Sequence, residues 1–352
     1  MCLVSFIVPV YNRTEEEVST CISSIVHQTV SNFELIIIDD GSNNGIEFFC
    51  DDLARKYDAT VIHQKNQGLA VARNTGMLSS RGEWIVHVDG DDWVDLELVE
   101  AISSISNDMW ADIIVWGYVI DNGKRRQKLL LKNKTAFDSD FKLIKESVLC
   151  SVLGYDRSFS ALALNTSWGK AYRRSFVNNN HIFYDSSLRR AQDAVYNLYA
   201  FNKASSVKYI DKALNYYRTS NVSLSRGYNP KTFEYLQQTA QAVSQFVSKE
   251  NVSQNVKDAS LIFIQRSFRI ITEEYYQHKN NTQSYNERKA LFLSGIEKDP
   301  FNSAFSSELT RSGVVNRVTD FFYKHRMFGN IFLWNSLIRL VRGFKDIIGS
   351  QR

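Results

Sequence analysis

Four apolar, β-branched runs in the first 90 residues, each breaking into polar turn-forming residues, constrain this chain more than any other feature. Val4 to Val8 breaks at Pro9-Val-Tyr-Asn12, and Phe33 to Ile38 at Asp39-Asp-Gly-Ser42. Ala59 to His63 breaks at Gln64-Lys-Asn-Gln-Gly68, and Glu83 to Val88 at Asp89-Gly-Asp-Asp92. Short apolar runs bounded by turn signals read as buried strands. Between the first two lies a helical face, Val18, Ile22, Ile25 and Val26, opened by the capping-box pair Thr14 and Glu17. Another helix is expected after Gly68, kept thin by Ala70, Ala72 and Gly76. Strands alternating with helices at this spacing predict βαβ units and a mostly parallel sheet covered on both faces. Ligands of such folds bind beyond the carboxyl ends of the strands, where all four polar breaks fall.

The breaks carry chemistry suited to a nucleotide diphosphate. Asp89, Asp91 and Asp92 crowd three carboxylates into one turn, and these repel one another unless a cation sits among them. A hard divalent ion, Mg²⁺ or Mn²⁺, takes such oxygens while bridging substrate phosphates. An isolated D-x-D is usually a solvated turn, and the three companion loops are what distinguish this one. Tyr11 offers a flat face for a base, and Asp40 an acceptor for a ring N–H such as uracil presents; packing and turn formation are their bland alternatives. Backbone N–H groups at the helix start by Gly68 are placed to face an anion, and Arg73 to reach the same phosphates.

Taken together, Ser5-Phe-Ile-Val-Pro-Val-Tyr-Asn12, Ile37-Ile-Asp-Asp-Gly-Ser42, Asn66-Gln-Gly-Leu-Ala-Val-Ala-Arg-Asn-Thr-Gly76 and Val88-Asp-Gly-Asp-Asp-Trp93 resemble the successive motifs of the family 2 glycosyltransferases, inverting enzymes of the GT-A fold. The match is close over residues 1 to 120 and looser to about 225. The resemblance implies an α/β domain with a nucleotide-sugar donor, usually a UDP-sugar, held with Mn²⁺ or Mg²⁺ and attacked by an acceptor hydroxyl. It implies that Asp40 reads the uracil, that Pro9 and Tyr11 line the base pocket, and that Asn66 and Arg73 lie near the diphosphate and sugar. Asp89 and Asp91 form the D-x-D pair, with Asp92 as a third carboxylate and the direct metal ligand left open.

An inverting transfer needs a general base for the acceptor hydroxyl. Family members carry Glu-Asp shortly before an amphipathic helix; here the pair reads Gln192-Asp193, which carries the base role to Asp193 and leaves the first position in doubt. A carboxylate stabilised by the helix dipole is the plain alternative. Trp168-Gly-Lys-Ala-Tyr172 resembles the segment before the base and places Lys170 near the site. Arg218 and Ser223 resemble the segment that closes over the diphosphate.

The 352 residues, 44% hydrophobic and 23% charged, suffice for one large core and an accessory domain, and a net charge of +4 argues against nucleic acid. Cys2, Cys21, Cys50 and Cys150 lack C-x-x-C spacing, so neither zinc nor a disulfide framework is indicated and a reducing cytoplasm is expected. The apolar start reads as a strand, not a signal peptide, which makes the sequons at Asn165, Asn221 and Asn251 incidental. The six histidines read as packing or surface residues.

The expected organisation is a GT-A domain over 1–228, with a nucleotide-sugar half (1–120) and an acceptor half (121–228), followed by a helical region over 229–352. There Phe233, Leu236, Ala240, Val243 and Phe246 recur at helical spacing, as do Leu261, Ile264, Phe268 and Ile271, with 279–286 a loop. Residues 331–348 read as an amphipathic helix, Trp334, Leu337, Ile338, Val341, Phe344 and Ile348 opposite Asn335, Arg339, Arg342 and Asp346. It is too broken to span a bilayer; it suits either a membrane surface or docking on its own protein. Processive polymerases of the family that the motifs resemble carry Q-x-x-R-W and membrane helices, neither of which is found in this sequence, so the resemblance implies single-sugar addition, to a carbohydrate or lipid-linked oligosaccharide of the kind built in capsule or exopolysaccharide assembly. The oligomeric state stays open. Two other readings are a phosphoryl-transfer enzyme with Asp39 as nucleophile and a non-catalytic sugar-nucleotide binding or scaffold protein.

Overall fold

The computed structural model describes residues 3–108, 110–138, 140–219, 227–309 and 313–349. Ser223 and Asn221 lie outside them, as do the side chains of Val341, Phe344 and Ile348. The chain forms two compact units, Met1–Ser223 and Leu224–Arg352.

In the first unit nine strands make one sheet: β1 (Val4–Val10), β2 (Phe33–Asp39), β3 (Thr60–His63), β4 (Trp84–His87), β5 (Trp93–Val94), β6 (Ile113–Asp121), β7 (Arg126–Leu129), β8 (Lys170–Arg173) and β9 (Val207–Arg218). Their order is β3-β2-β1-β4-β8-β6-β9-β5, with β7 paired to β6. The four strands expected from the sequence are parallel neighbours. Beyond them the sheet is mixed, because β8 runs antiparallel to both β4 and β6 while β9 is parallel to β6. The regular strand–helix alternation ends after β4. Later strands are joined by the β6–β7 hairpin and by longer, partly helical connections, which do not by themselves impose parallel pairing.

Helix α1 (Glu15–Val26) has the complete Thr14–Glu17 capping box and buries Val18, Cys21, Ile22 and Ile25. Helix α2 (Ile46–Tyr57) precedes β3, and α3 (Leu69–Ser79) follows it. A Cβ on Gly76 of α3 would meet Ile7 Cγ2 at 2.3 Å, so this helix can lie on β1 only without a side chain there. The residues of β1 are buried throughout, as a strand covered on both faces must be. The unit also holds α4 (Leu98–Asp108), α5 (Lys145–Val152), α6 (Arg174–Asn179) and α7 (Gln192–Lys203).

The second unit is helical among its described residues: α8 (Thr232–Lys249), α9 (Gln254–Ile271) with a π turn to Tyr276, α10 (Tyr285–Ile296), α11 (Phe301–Ser306), α12 (Val314–Lys324) and α13 (Phe328–Gly349). Its core gathers on Phe268, whose ring lies 5.4 Å from Phe292 and 4.9 Å from Phe301. The expected loop over 279–286 ends early, because Ser284 and Glu287 form a capping box that starts α10 at Tyr285. The face of α13 also differs from its expected one. Asn335 is buried and donates to Gln277 Oε1 at 3.1 Å, while Leu333 and Leu337 are exposed. A buried amide with a partner outweighs the simple polar/apolar division. Among the described residues no helix is long and apolar enough to cross a membrane.

Candidate active site

The loops after β1, β2 and β3 are tied to one another by polar side chains. Asn12, in the left-handed region at φ 48°, donates its N–H to Ser42 Oγ at 3.0 Å and accepts the Asn43 N–H on its side chain, also at 3.0 Å. Asp40 is buried. Its Oδ1 accepts from Gln64 Nε2 at 2.7 Å and from the Gln67 N–H at 3.0 Å, and its Oδ2 from the Gly68 N–H at 2.8 Å. The Asp40 carboxylate thus takes the Gln67 and Gly68 N–H groups at the start of α3, the helix end that the sequence offered to a phosphate. Unpaired N–H groups at a helix start attract the nearest carboxylate, and Asp40 arrives on the neighbouring turn. Gly41 is needed for this approach: a Cβ there would lie 2.6 Å from the Asn66 nitrogen. Pro9 is buried near the end of β1, whereas Tyr11 is 49% exposed and Asn66 is exposed.

Asp39 is engaged through both carboxylate oxygens. Its Oδ1 accepts the Ser42 N–H at 3.0 Å, and its Oδ2 faces His63 Nδ1 at 2.8 Å. His63 Nε2 lies 3.0 Å from Asp51 Oδ1, and the two carboxylates hold the imidazole pKa above its ordinary value.

Beyond β4 the acidic turn is held from three directions. Arg73, reaching across from α3, is fully buried and donates through Nη2 to Asp89 at 2.7 Å and through Nη1 to Asp193. Arg13, missed in the sequence because nothing links it to the acidic turn, pairs with Asp91 Oδ2 at 2.8 Å. Asp92 is buried and accepts the Arg218 N–H at 2.9 Å. Burial raises the pKa of Asp91, opposed by Arg13, and it raises that of Asp92 further with help from Asp89 and Asp91. This is the electrostatic stress that a divalent cation relieves. The donor set, hard oxygens on Asp89 and Asp91 that remain 27% and 33% exposed, fits Mg²⁺ or Mn²⁺ completed by substrate phosphates. Among the described residues no three acidic, His or Cys groups converge on a preformed cage.

Arg73, expected beside the diphosphate and sugar, is held between Asp89 and Asp193. A guanidinium with no exposure and two carboxylate partners is a brace. Lys170 also turns inward: its Nζ donates to the carbonyls of Ala163, Thr166 and Trp168 at 3.1, 2.8 and 2.9 Å, and burial pulls its pKa down to about 7. It organises the loop ahead of Asp193. Asp193 opens α7 with its side chain 22% exposed, and burial raises its pKa against the opposing pull of Arg73. Asn197, one turn on, donates to the carbonyls of Asp193 and Thr166 at 2.8 and 2.7 Å and fixes the start of the helix. Arg189, not singled out in the sequence, donates to Gln67 O at 2.6 Å and joins the α3 side to the α7 side. The structure thus brings Arg73, Asp89, Asp91, Asp92 and Asp193 together and sets Asp40 and Asn66 in the loops after β2 and β3.

Residues 5–180 match the family model described as glycosyl transferase family 2. The chain is 31% identical over 271 residues to an uncharacterised glycosyltransferase, EpsJ, of Bacillus subtilis (strain 168), covering 75% of each protein. It is 31% identical over 237 residues to the putative glycosyltransferase EpsH of the same organism, covering 66% of this chain and 65% of EpsH. Residues 1–349 of S. aureus TarS, solved in complex with UDP-GlcNAc, share the fold at a TM-score of 0.64 and 16% identity, over 96% of this chain and 92% of that one. The chain belongs to glycosyl transferase family 2 and is a glycosyltransferase, its GT-A type α/β unit carrying the acidic turn and the Arg73 brace.

Proposed function

We propose that this enzyme moves a single sugar from a UDP-sugar to an acceptor hydroxyl with inversion, Asp193 serving as general base. The observation that carries the reading is Arg73, one buried guanidinium bound to Asp193 on one side and to Asp89 on the other. The proton acceptor and the acidic turn are thereby held in fixed register. In the displacement the acceptor oxygen forms a bond to the anomeric carbon as the bond to the diphosphate oxygen breaks. The hydroxyl proton passes to Asp193, and the electron pair leaves with UDP. The raised pKa of Asp193 makes it a stronger base than an ordinary aspartate.

Asp89 and Asp91, with Asp92 behind them, would hold a Mn²⁺ or Mg²⁺ ion, which when bound supplies charge to neutralise the leaving diphosphate. Tyr11 and the 64–68 loop held by Asp40 shape the nucleotide side. UDP is favoured as the carrier because TarS, which shares the fold, has been solved with UDP and UDP-GlcNAc. The acceptor is a carbohydrate or lipid-linked oligosaccharide in cell-surface polysaccharide assembly, reached from the cytoplasmic side; Trp334 and Asn335 dock α13 on its own unit, which leaves the exposed Leu333 and Leu337 for a peripheral membrane contact. The GT-A domain is placed at 1–228 and its helical companion at 229–352. Hydrolysis of a panel of UDP-, GDP- and dTDP-sugars with Mn²⁺ tests the reading: turnover restricted to UDP-sugars is expected, and turnover of GDP-sugars alone would reject the donor assignment.

A further inference from the structure

A cavity of about 530 Å³ adjoins the acidic turn on the side away from the β1, β2 and β3 loops. It is lined by Trp93, Asp121, Lys124, Arg125, Arg126 and Arg218. This is room for a small ligand, within the range of ordinary binding pockets. Four cations face one carboxylate across it. Asp121 is already engaged, Oδ2 with Arg126 Nε at 2.6 Å and Oδ1 with the Gly123 N–H at 2.7 Å.

The cations are presented on a built frame. The turn between β6 and β7 is an Asx turn in which Asn122 Oδ1 accepts the N–H groups of Lys124 and Arg125 at 3.0 and 2.7 Å. Gly123 takes φ +77°, a conformation that favours glycine. The Trp93 and Tyr216 rings stack at 5.4 Å, with the Arg218 guanidinium over Trp93 at 5.2 Å and that of Arg126 over Tyr216 at 5.7 Å. Arg218 Nε is buried without a hydrogen-bond partner, and Lys124, Arg125 and Arg218 form no ion pair among the described residues. Lys124 and Arg125 are exposed on the turn, and an anion in the cavity would gather them with Arg218 through charge-assisted hydrogen bonds.

We infer that this cavity binds a phosphate group of the acceptor, so that the enzyme acts on a phosphate-bearing glycan or lipid. The inference rests on reading Asp89 to Asp92 as the donor end of the site. In the sheet order the acidic turn after β4 separates the nucleotide loops of β3, β2 and β1 from the β6–β7 turn and the end of β9. A donor diphosphate at the turn therefore leaves the cavity to the other substrate. Guanidinium groups match phosphate oxygens in pairs, which an uncharged sugar cannot exploit. Two acceptors share this chemistry: a sugar on a lipid diphosphate, and a polyol-phosphate chain.

The test is calorimetry on the full chain with UDP and Mn²⁺ present, comparing wild type with the Lys124→Gln/Arg125→Gln double variant. The probes are farnesyl-diphosphate-linked N-acetylglucosamine, a short glycerol-phosphate oligomer, and neutral methyl N-acetylglucosaminide. At least one phosphate-bearing probe should bind more tightly than the neutral sugar, weaken with added salt, and lose roughly tenfold in the variant, as the loss of charge-assisted hydrogen bonds requires. Which probe binds identifies the source of the phosphate. UDP affinity should be unchanged. Equal binding of charged and neutral probes to wild type would overturn the inference, as would a parallel loss of UDP affinity, which would assign the cavity to the donor. Wild-type UDP-sugar hydrolysis is read alongside, so failure of the donor reading and failure of the phosphate preference are separate results.

Discussion

Arg73 and Asp193 stand 120 residues apart in the chain and are joined by a charged hydrogen bond in which the arginine has no exposure. The same guanidinium holds Asp89, so its loss would leave two partly buried carboxylates facing each other. Arg73→Met should destabilise the first unit by about 3 kcal/mol, the cost of breaking a buried ion pair from one side. Urea unfolding measures this.

The brace also sets a pH dependence. Activity requires ionised Asp193, so kcat/KM should rise as pH passes its pKa, which burial places above the ordinary aspartate value. Arg73 acts in the opposite direction and stabilises the carboxylate. In Arg73→Lys, with one charge retained but the fork lost, the rising limb should move to higher pH. A limb that stays in place would show that Arg73 does not tune the base.

Asp40 faces three donors of the 64–68 loop. Asp40→Ala should therefore weaken UDP and CDP by similar factors, because the loop that shapes the nucleotide side loosens whichever base is bound. The first carboxylate lost from a charge-assisted network is worth about 1.5 to 3 kcal/mol. Loss confined to UDP would return Asp40 to reading the uracil ring.

What the sequence revealed and what it hid follow from the range of the interactions. Strands β1 to β4 and helices α1 and α3 were legible because local patterning and caps specify them. The Thr14–Glu17 box and the bare Gly76 are visible within a few residues of the elements they serve. The partners of side chains were not legible. Nothing near Asp40 announces that it caps α3, and nothing near Arg13 announces Asp91. The burial of Asn335 depends on Gln277, from which α10, α11 and α12 separate it in the chain, so periodicity alone placed it on the wrong face. The antiparallel β8 was hidden for a related reason, since irregular connections leave strand direction to tertiary pairing.

Metal removal gives a further outcome. The acidic turn and a diphosphate repel, so UDP should bind more weakly after chelation and recover with Mn²⁺. Asp91→Asn should lose most of the metal dependence while the fold persists, since its partner Arg13 lies at the partly exposed rim. Calorimetry showing equal UDP affinity with and without Mn²⁺ would contradict the metal assignment.

His63 couples stability to pH. Its pKa is raised in the folded state by Asp39 and Asp51, so its contribution is complete below about pH 6.5, the unfolded value, and fades as pH rises through the higher folded value. His63→Gln should flatten the pH dependence of the urea midpoint across that window. The effect is small, because the imidazole is partly exposed and screened.

Whether Asp193 takes the acceptor proton in an inverting transfer is decided by a transfer assay on Asp193→Asn with NMR analysis of the wild-type product. UDP and Mn²⁺ binding should remain close to wild type, while transfer falls about 10²- to 10⁴-fold, the range for losing general-base catalysis. The product should be β-linked from an α-linked UDP-hexose. Near wild-type transfer by Asp193→Asn, or retained configuration in the product, would contradict the account.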